Sequence, residues 1–230
     1  MPKIPLRLLS LAEMVIPGEP VADIGSDHAL LPCYLVSQGL CPRAICSELR
    51  DGPFSRTLEA VNRNNLSSLI EVRQGDGLEV LAPGEVRTVV IAGMGGNNII
   101  DILQRSTAKT KSFARLVLQP NNARFELRRL AASQGWRIEN ESVVRDGDFY
   151  VNLSIAPEPA EPYMLSEAEL RWGPVLIKKK RDPAVREYFA FQLHKLARIW
   201  DGIPPAGSDR SRRRQETIGQ RIKELEEVLS

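Results

Sequence analysis

The chain has 230 residues, 43% of them hydrophobic and 26% charged, with a net charge of +2. It is long enough for one α/β domain with a small extension, and its longest apolar runs, such as Val89-Val90-Ile91-Ala92, are too short to span a membrane. Cys33, Cys41 and Cys46 lack C-x-x-C spacing and have only His28 and His194 beside them, so no metal site is expected and the thiols are expected to stay reduced, in a cytoplasm.

Residues 1–7 carry no apolar signal-peptide core. Residues 4–16 read as a short amphipathic helix with Leu8, Leu9, Leu11, Ala12 and Val15 on its apolar side. Val21-Ala22-Asp23-Ile24 is a first strand, followed by the turn Gly25-Ser26-Asp27-His28 and a helix from Ala29 closed by Gly39. Strand, glycine turn and helix open the ligand site of a doubly wound domain. Arg43–Leu49 is a second strand ending in an acid, Glu48. Asp51 caps the next helix, with Pro53 in its first turn and Leu58, Val61 and Leu66 facing inward. Ile70–Arg73 is a third strand that runs into Gly75-Asp76-Gly77-Leu78.

Val86–Ala92 is continuously strand-like, which predicts a strand buried on both faces at the sheet centre. The loop Gly93-Met94-Gly95-Gly96 follows, then a helix through Ile99, Ile100, Ile102 and Leu103. Phe113–Leu118 is the fifth strand and ends at Gln119-Pro120-Asn121. After a helix with Phe125, Leu127 and Leu130 inward, residues 136–144 and 149–155 form a hairpin about Arg145-Asp146-Gly147-Asp148. The alternation predicts an α/β fold with a mostly parallel seven-stranded sheet and one antiparallel strand. Right-handed crossovers would place every βα turn on one edge.

Pro157-Glu158-Pro159-Ala160-Glu161-Pro162 is a stiff linker. It divides the chain into an α/β domain, 1–157, and a helical domain, 158–230. Ser166 and Glu169 have capping-box spacing. A helix from about Pro183 to Asp201 carries Val185, Tyr188, Phe189, Leu193, Leu196 and Trp200 on one side, and residues 202–207 break it. Ser208 or Asp209 caps a last helix with Ile218, Ile222, Leu225 and Leu229 at helical spacing. Two apolar stripes and a short loop predict an antiparallel, coiled-coil-like hairpin. Residues 157–230 hold 14 Lys and Arg against 12 Asp and Glu, so the whole positive excess lies there. The clusters Lys178-Lys179-Lys180-Arg181 and Arg210-Ser211-Arg212-Arg213-Arg214 are suited to phosphates, or are simply solvated.

A dinucleotide site needs G-x-G-x-x-G, so that backbone can close on a pyrophosphate. Here Gly25 stands alone and Asp27 occupies the place of the second glycine. A carboxylate there repels a diphosphate. Asp23 and Asp27 instead suit a cationic ligand such as S-adenosylmethionine, with its sulfonium and ammonium; the alternative is a plain turn with Asp27 as helix N-cap. Glu48 at the second strand end is placed for a ribose diol, and Asp76 after the third for an adenine amino group. The Gly93–Gly96 loop follows the fourth strand, where transferred group and acceptor would meet.

Val21–Ala29 (V-A-D-I-G-S-D-H-A), Gly75–Leu78 (G-D-G-L), Ile91–Gly96 (I-A-G-M-G-G) and Leu118–Asn121 (L-Q-P-N) resemble the signature blocks of bacterial tRNA (adenine-22-N1)-methyltransferases, the TrmK-like family. The resemblance covers residues 4–155, and the family's C-terminal helical domain fits residues 160–230 in pattern. The chain departs from it at Ser47-Glu48-Leu49, where glycine and valine more usually flank the acid, but the carboxylate is kept. The resemblance implies a Rossmann-like class I methyltransferase, S-adenosylmethionine as donor, and N1 of a tRNA D-loop adenine as acceptor. Donor binding then falls to Asp23, Gly25, Ser26, Asp27, His28, Glu48, Leu49, Asp76, Gly77, Gly93, Met94 and Gly95, with Asp27 the carboxylate nearest the reaction, on either the donor ammonium or the adenine amino group. Acceptor binding falls to Gly95, Gly96, Gln119, Pro120 and Asn121, and tRNA phosphates to Lys178, Lys179, Lys180 and Arg181. Gln119 and Asn121 carry amides that can pair with an adenine edge. A monomer without metal is expected. The rival readings are a small-molecule methyltransferase, a non-catalytic RNA-binding protein on the same scaffold, and a dinucleotide-dependent oxidoreductase. The basic clusters, the intact acids and Asp27, respectively, argue against them.

Overall fold

The structure is a computed structural model and describes residues 4–158, 160–203 and 209–230. It divides into two compact units, Met1–Met164 and Leu165–Ser230. The first unit runs α1 (Leu6–Ala12), β1 (Val21–Ile24), α2 (Leu30–Ser37), β2 (Ala44–Glu48), α3 (Asp51–Arg63), β3 (Ile70–Gln74), β4 (Thr88–Met94), α4 (Gly96–Arg105), α5 (Thr107–Thr110), β5 (Arg115–Pro120), α6 (Arg124–Ser133), β6 (Arg137–Asp146) and β7 (Asp148–Ala156). A single 3-10 turn, Gly77–Val80, follows β3.

The strands form one seven-stranded sheet in the order β3-β2-β1-β4-β5-β7-β6. The first five pair in parallel, and β7 runs against both β5 and β6. The expected sheet with one antiparallel strand is thus present. β4 lies at its centre with Thr88–Ile91 wholly buried, because an uninterrupted apolar run can satisfy a strand covered on both faces. Strand order reverses between β1 and β4, which opens a crevice at their carboxyl ends. α1 buries Leu8, Leu11 and Ala12 against α2 and the β6–β7 hairpin.

Several local expectations are corrected. Val61 is buried in α3 as expected and Leu66, just beyond it, is half-buried, but Leu58 is 40% exposed and Thr57 is buried in its place. Asp51 is the first residue of α3 rather than its cap, and it accepts a bond from Gln74 Nε2. β4 continues through Gly93 to Met94 by way of a bulge, where the sequence suggested a loop. The division falls after Met164 rather than after Pro157. Tyr163 donates its hydroxyl to the Trp136 carbonyl and its amide to the Ala132 carbonyl. The segment also crosses Gly135 so closely that a Cβ there would lie 2.0 Å from the Ala160 carbonyl oxygen.

The second unit contains α7 (Glu167–Trp172), α8 (Pro174–Lys178), α9 (Pro183–Asp201) and α10 (Asp209–Leu229). The Ser166–Glu169 capping box is formed, and Asp182 caps α9. α9 and α10 pack together, burying Val185, Tyr188, Phe189 and Leu196 with Ile218, Leu225 and Val228. Gly219 admits the Trp200 ring, 2.8 Å from where a Cβ would stand. The expected break at 204–207 and the alternative cap Ser208 lie outside the described residues. Among the described residues no helix is long and apolar enough to cross a membrane, and no cluster of side chains suits a metal ion.

Candidate active site

The turn after β1 is shaped by backbone that few residues tolerate. Gly25 has φ +73°, and a Cβ on it would stand 2.3 Å from Met94 Cε. The positive φ alone favours glycine, and a Cβ would in addition push the Met94 methyl aside. His28 and Ala29 follow with φ 71° and 50°. The end of β2 holds this turn in place. The Gly25 amide donates to the Ser47 carbonyl at 2.8 Å, and the Asp27 amide donates to Glu48 Oε1. Ala29, left-handed and without a side-chain bond, precedes α2 as its N-cap. Asp27 is therefore not the helix cap that the plain-turn alternative required. Its carboxylate instead accepts from Arg56 at 3.1 and 3.3 Å.

Asp23 lies buried beneath the turn and accepts from Ser26 Oγ at 2.6 Å. Burial pushes its pKa up to about 6; the Ser26 bond opposes the shift, the Glu48 charge adds to it, and Arg7 opposes it. Burial also raises Glu48, against the Asp27 amide bond. Thr57 Oγ1 donates to the same Glu48 oxygen, Oε1, at 3.5 Å, which leaves Oε2 for another partner.

Two cavities open at this edge, and Gly25 lines both. The first, about 320 Å³, brings together Glu48, Leu49, Asp76, Gly77 and Met94, with Ile102 and Arg105 opposite. The second, about 270 Å³, brings together Asp23, Ser26, Asp27, His28 and Gly93, with Arg7 on its wall. Asp76 is held by both Arg105 amino groups, at 2.6 and 3.2 Å, which pulls its pKa below the usual carboxylate range. Each carboxylate oxygen has two lone pairs, so this pairing still leaves room to accept an amino group.

The residues expected to read the acceptor lie outside both cavities, Asn121 exposed and Gln119 and Pro120 buried. Asn121 Nδ2 donates to the Gly93 carbonyl and the Asn121 amide to the Met94 carbonyl, both at 2.8 Å. Asn122 Oδ1 accepts from the Gly96 amide at 2.8 Å, and a Cβ on Gly96 would stand 2.3 Å from the Asn122 carbonyl oxygen. Gln119 is buried and gives its amide group to Asn152 Oδ1. Pro120 is buried in β5 beside Met94. Asn121 and Pro120 thus brace the glycine loop, Gln119 is engaged by Asn152 and Arg7, and none of Gly95, Gly96, Gln119, Pro120 and Asn121 lines either cavity. Lys178–Arg181 belong to the second unit, at the end of α8 and in the turn after it; Lys180 is half-buried and the other three are exposed.

Arg7, Arg56, Arg105 and Asn122 were not anticipated. Arg7 lies in a helix legible only by its apolar side, and Arg56 and Arg105 on helix faces with no motif. Asn122 directly follows the L-Q-P-N block, and that adjacency was the one available signal.

The donor set fits S-adenosylmethionine. One cavity offers a carboxylate for a ribose diol, a second for an adenine amino group, and Leu49 and Ile102 as apolar walls. The other offers two carboxylates for a cationic tail. At their junction Gly25 holds a left-handed backbone that favours glycine. The comparisons agree. The family model described as TrmK: tRNA (adenine(22)-N(1))-methyltransferase matches residues 21–227. The tRNA (adenine(22)-N(1))-methyltransferase of Bacillus subtilis is 34% identical over 99% of this chain and 97% of its own length. The crystal structure of the B. subtilis m1A22 tRNA methyltransferase TrmK is 33% identical, with TM-score 0.85 and 99% of each chain covered. A Streptococcus pneumoniae protein solved in complex with S-adenosyl-L-methionine is 31% identical, with TM-score 0.86, covering 99% of this chain and 100% of its own. The chain belongs to the TrmK family of tRNA (adenine(22)-N(1))-methyltransferases.

Proposed function

We propose that this protein transfers a methyl group from S-adenosylmethionine to N1 of adenine 22 in tRNA. The observation that carries the reading is the pair of acid-lined cavities meeting at Gly25, with the Gly93–Gly96 loop beside them. Glu48 and Asp76 hold the adenosine end, and Asp23 and Asp27 the cationic end. The donor supplies an electrophilic methyl group on sulfur. The N1 lone pair forms the new N–C bond while the S–C pair returns to sulfur.

N1 has no proton to lose before attack, so the protein needs no strong base there. Its task is alignment. The loop does this through two asparagine side chains, Asn121 and Asn122, which fix the Gly93 carbonyl and the Gly96 amide. Methylation leaves the base positively charged. Asp27, half-exposed at the cavity rim, is the carboxylate that faces this charge. The target base must leave its stack to reach such a site. Exposed Lys178, Lys179 and Arg181 on the second unit would hold backbone phosphate, a sequence-independent contact. A tRNA substrate and three free, buried cysteines are in keeping with a cytoplasmic enzyme. Incubation with labelled donor and unmodified tRNA, followed by nucleoside mass spectrometry, tests the reading. Labelled 1-methyladenosine is expected; labelled N6-methyladenosine or no labelled nucleoside would refute it.

A further inference from the structure

Arg7 lies outside every motif that points to the donor site, yet it is held with unusual care. Its backbone amide donates to Asp146 Oδ2 at 3.1 Å, fastening α1 to the turn of the β6–β7 hairpin. Its side chain belongs to a closed ring of hydrogen bonds. Arg7 Nη1 donates to Gln119 Oε1 over a long 3.5 Å, and Gln119 Nε2 donates to Asn152 Oδ1 at 2.8 Å. Asn152 Nδ2 donates to Ser10 Oγ at 2.8 Å, and Ser10 Oγ donates to the Arg7 carbonyl at 2.9 Å. Gln119 and Asn152 are both fully buried. Buried amides are costly unless satisfied, and a satisfied network fixes one arrangement. The guanidinium also lies 5.9 Å from the centre of the Tyr150 ring. Among the described residues no carboxylate lies within ion-pair distance of it.

This oriented guanidinium forms part of the wall of the second cavity, beside Asp23, Asp27 and Gly93. The donor reading above places the amino-acid end of S-adenosylmethionine there. That end carries an ammonium and a carboxylate. The acids answer the ammonium and the sulfonium, but they repel the carboxylate. Arg7 is the arginine among the residues lining this cavity, and Arg56 is occupied by Asp27. A guanidinium presents a planar pair of donors that matches a carboxylate. We infer that Arg7 binds the methionine carboxylate of the donor, and that Gln119 is a positioning residue for Arg7 and not a reader of the acceptor base. This rests on the donor reading under Proposed function.

Calorimetric titration of the full chain tests the inference with two ligands, S-adenosylmethionine and decarboxylated S-adenosylmethionine, which lacks only that carboxylate. The wild type should bind the decarboxylated compound roughly tenfold to a hundredfold more weakly, the worth of a charged hydrogen-bonded contact. In Arg7→Met the two ligands should bind alike, at the wild-type affinity for the decarboxylated compound. That second ligand therefore also reports whether the variant is folded. Arg7→Lys should recover part of the discrimination, and Gln119→Ala should lose part of it without changing affinity for the decarboxylated compound. Undiminished discrimination in Arg7→Met overturns the inference, as does an equal loss for both ligands. A raised KM for tRNA with donor discrimination intact would give Arg7 to an RNA phosphate and equally overturn it. A wild type that binds neither ligand would instead sink the donor reading itself.

Discussion

Burial makes Asp23 titrate where an ordinary aspartate does not. Its pKa is raised from 3.8 to about 6. Between those values the folded chain keeps a proton that the unfolded chain releases, so this group's contribution to stability falls as pH rises through that window and is flat above it. Donor binding runs the other way, because a cationic ligand favours the ionised acid. Affinity for S-adenosylmethionine should therefore drop as pH falls through about 6, and Asp23→Asn should bind more weakly with a flatter profile. Calorimetry across this range checks it, and an Asp23→Asn profile as steep as that of the wild type would assign the titration elsewhere. The acids of the site were legible because each ends a strand on one edge: Asp23 on β1, Glu48 on β2, and Asp76 just past β3. Their partners were not. Arg56 reaches Asp27 and Arg105 reaches Asp76 across 29 residues each, and no local pattern encodes such pairs. What holds Gln119 was hidden for the same reason. Its amide type is visible in sequence, but its engagement by Asn152, 33 residues on, is not.

The strands were readable as elements because their apolar continuity and alternation are strong signals, and the final hairpin turns at Gly147 as its D-G-D turn suggested. Short helices were not: α5 and α8 span one turn each and carry no periodicity. The extension of β4 into Met94 was hidden because glycine reads as a break, whereas here Gly93 sits at the bulge. The glycine loop itself makes a sharp prediction. A methyl group at Gly96 would stand 2.3 Å from backbone, not from a side chain that could swing away. Gly96→Ala should cost about 1–3 kcal/mol of stability and lower methyl transfer more than donor affinity. Thermal unfolding and donor titration check it together; an unchanged melting temperature with full turnover would show that the loop is not fixed by Asn122.

At the scale of the whole molecule, the chain divides into two compact units after Met164, seven residues beyond Pro157. Proline content marked a linker, but the docking of residues 160–163 on Gly135 and Trp136 is a tertiary contact that composition does not report. The positive excess lies wholly beyond residue 157. Lysine and arginine contacts to phosphate give affinity that falls steeply with salt. A chain ending at Met164 should thus keep donor affinity, lose most tRNA affinity and most turnover, and bind residual tRNA with a flatter salt dependence. Reversing the charge of Lys178, Lys179, Lys180 and Arg181 should have a milder effect of the same kind. Fluorescence anisotropy with unmodified tRNA decides it, and unchanged affinity of the folded, truncated chain would remove the helical unit from recognition.

The position and atom of methylation test the central claim most directly. A methyl group on N1 occupies the Watson–Crick edge of adenine and stops reverse transcription, whereas one on N6 need not. Unmodified tRNA transcript incubated with the protein and S-adenosylmethionine should give a stop at adenine 22, and a transcript with guanine at that position should give none. Methyl incorporation without a stop, or a stop elsewhere that persists in the guanine transcript, would contradict the account.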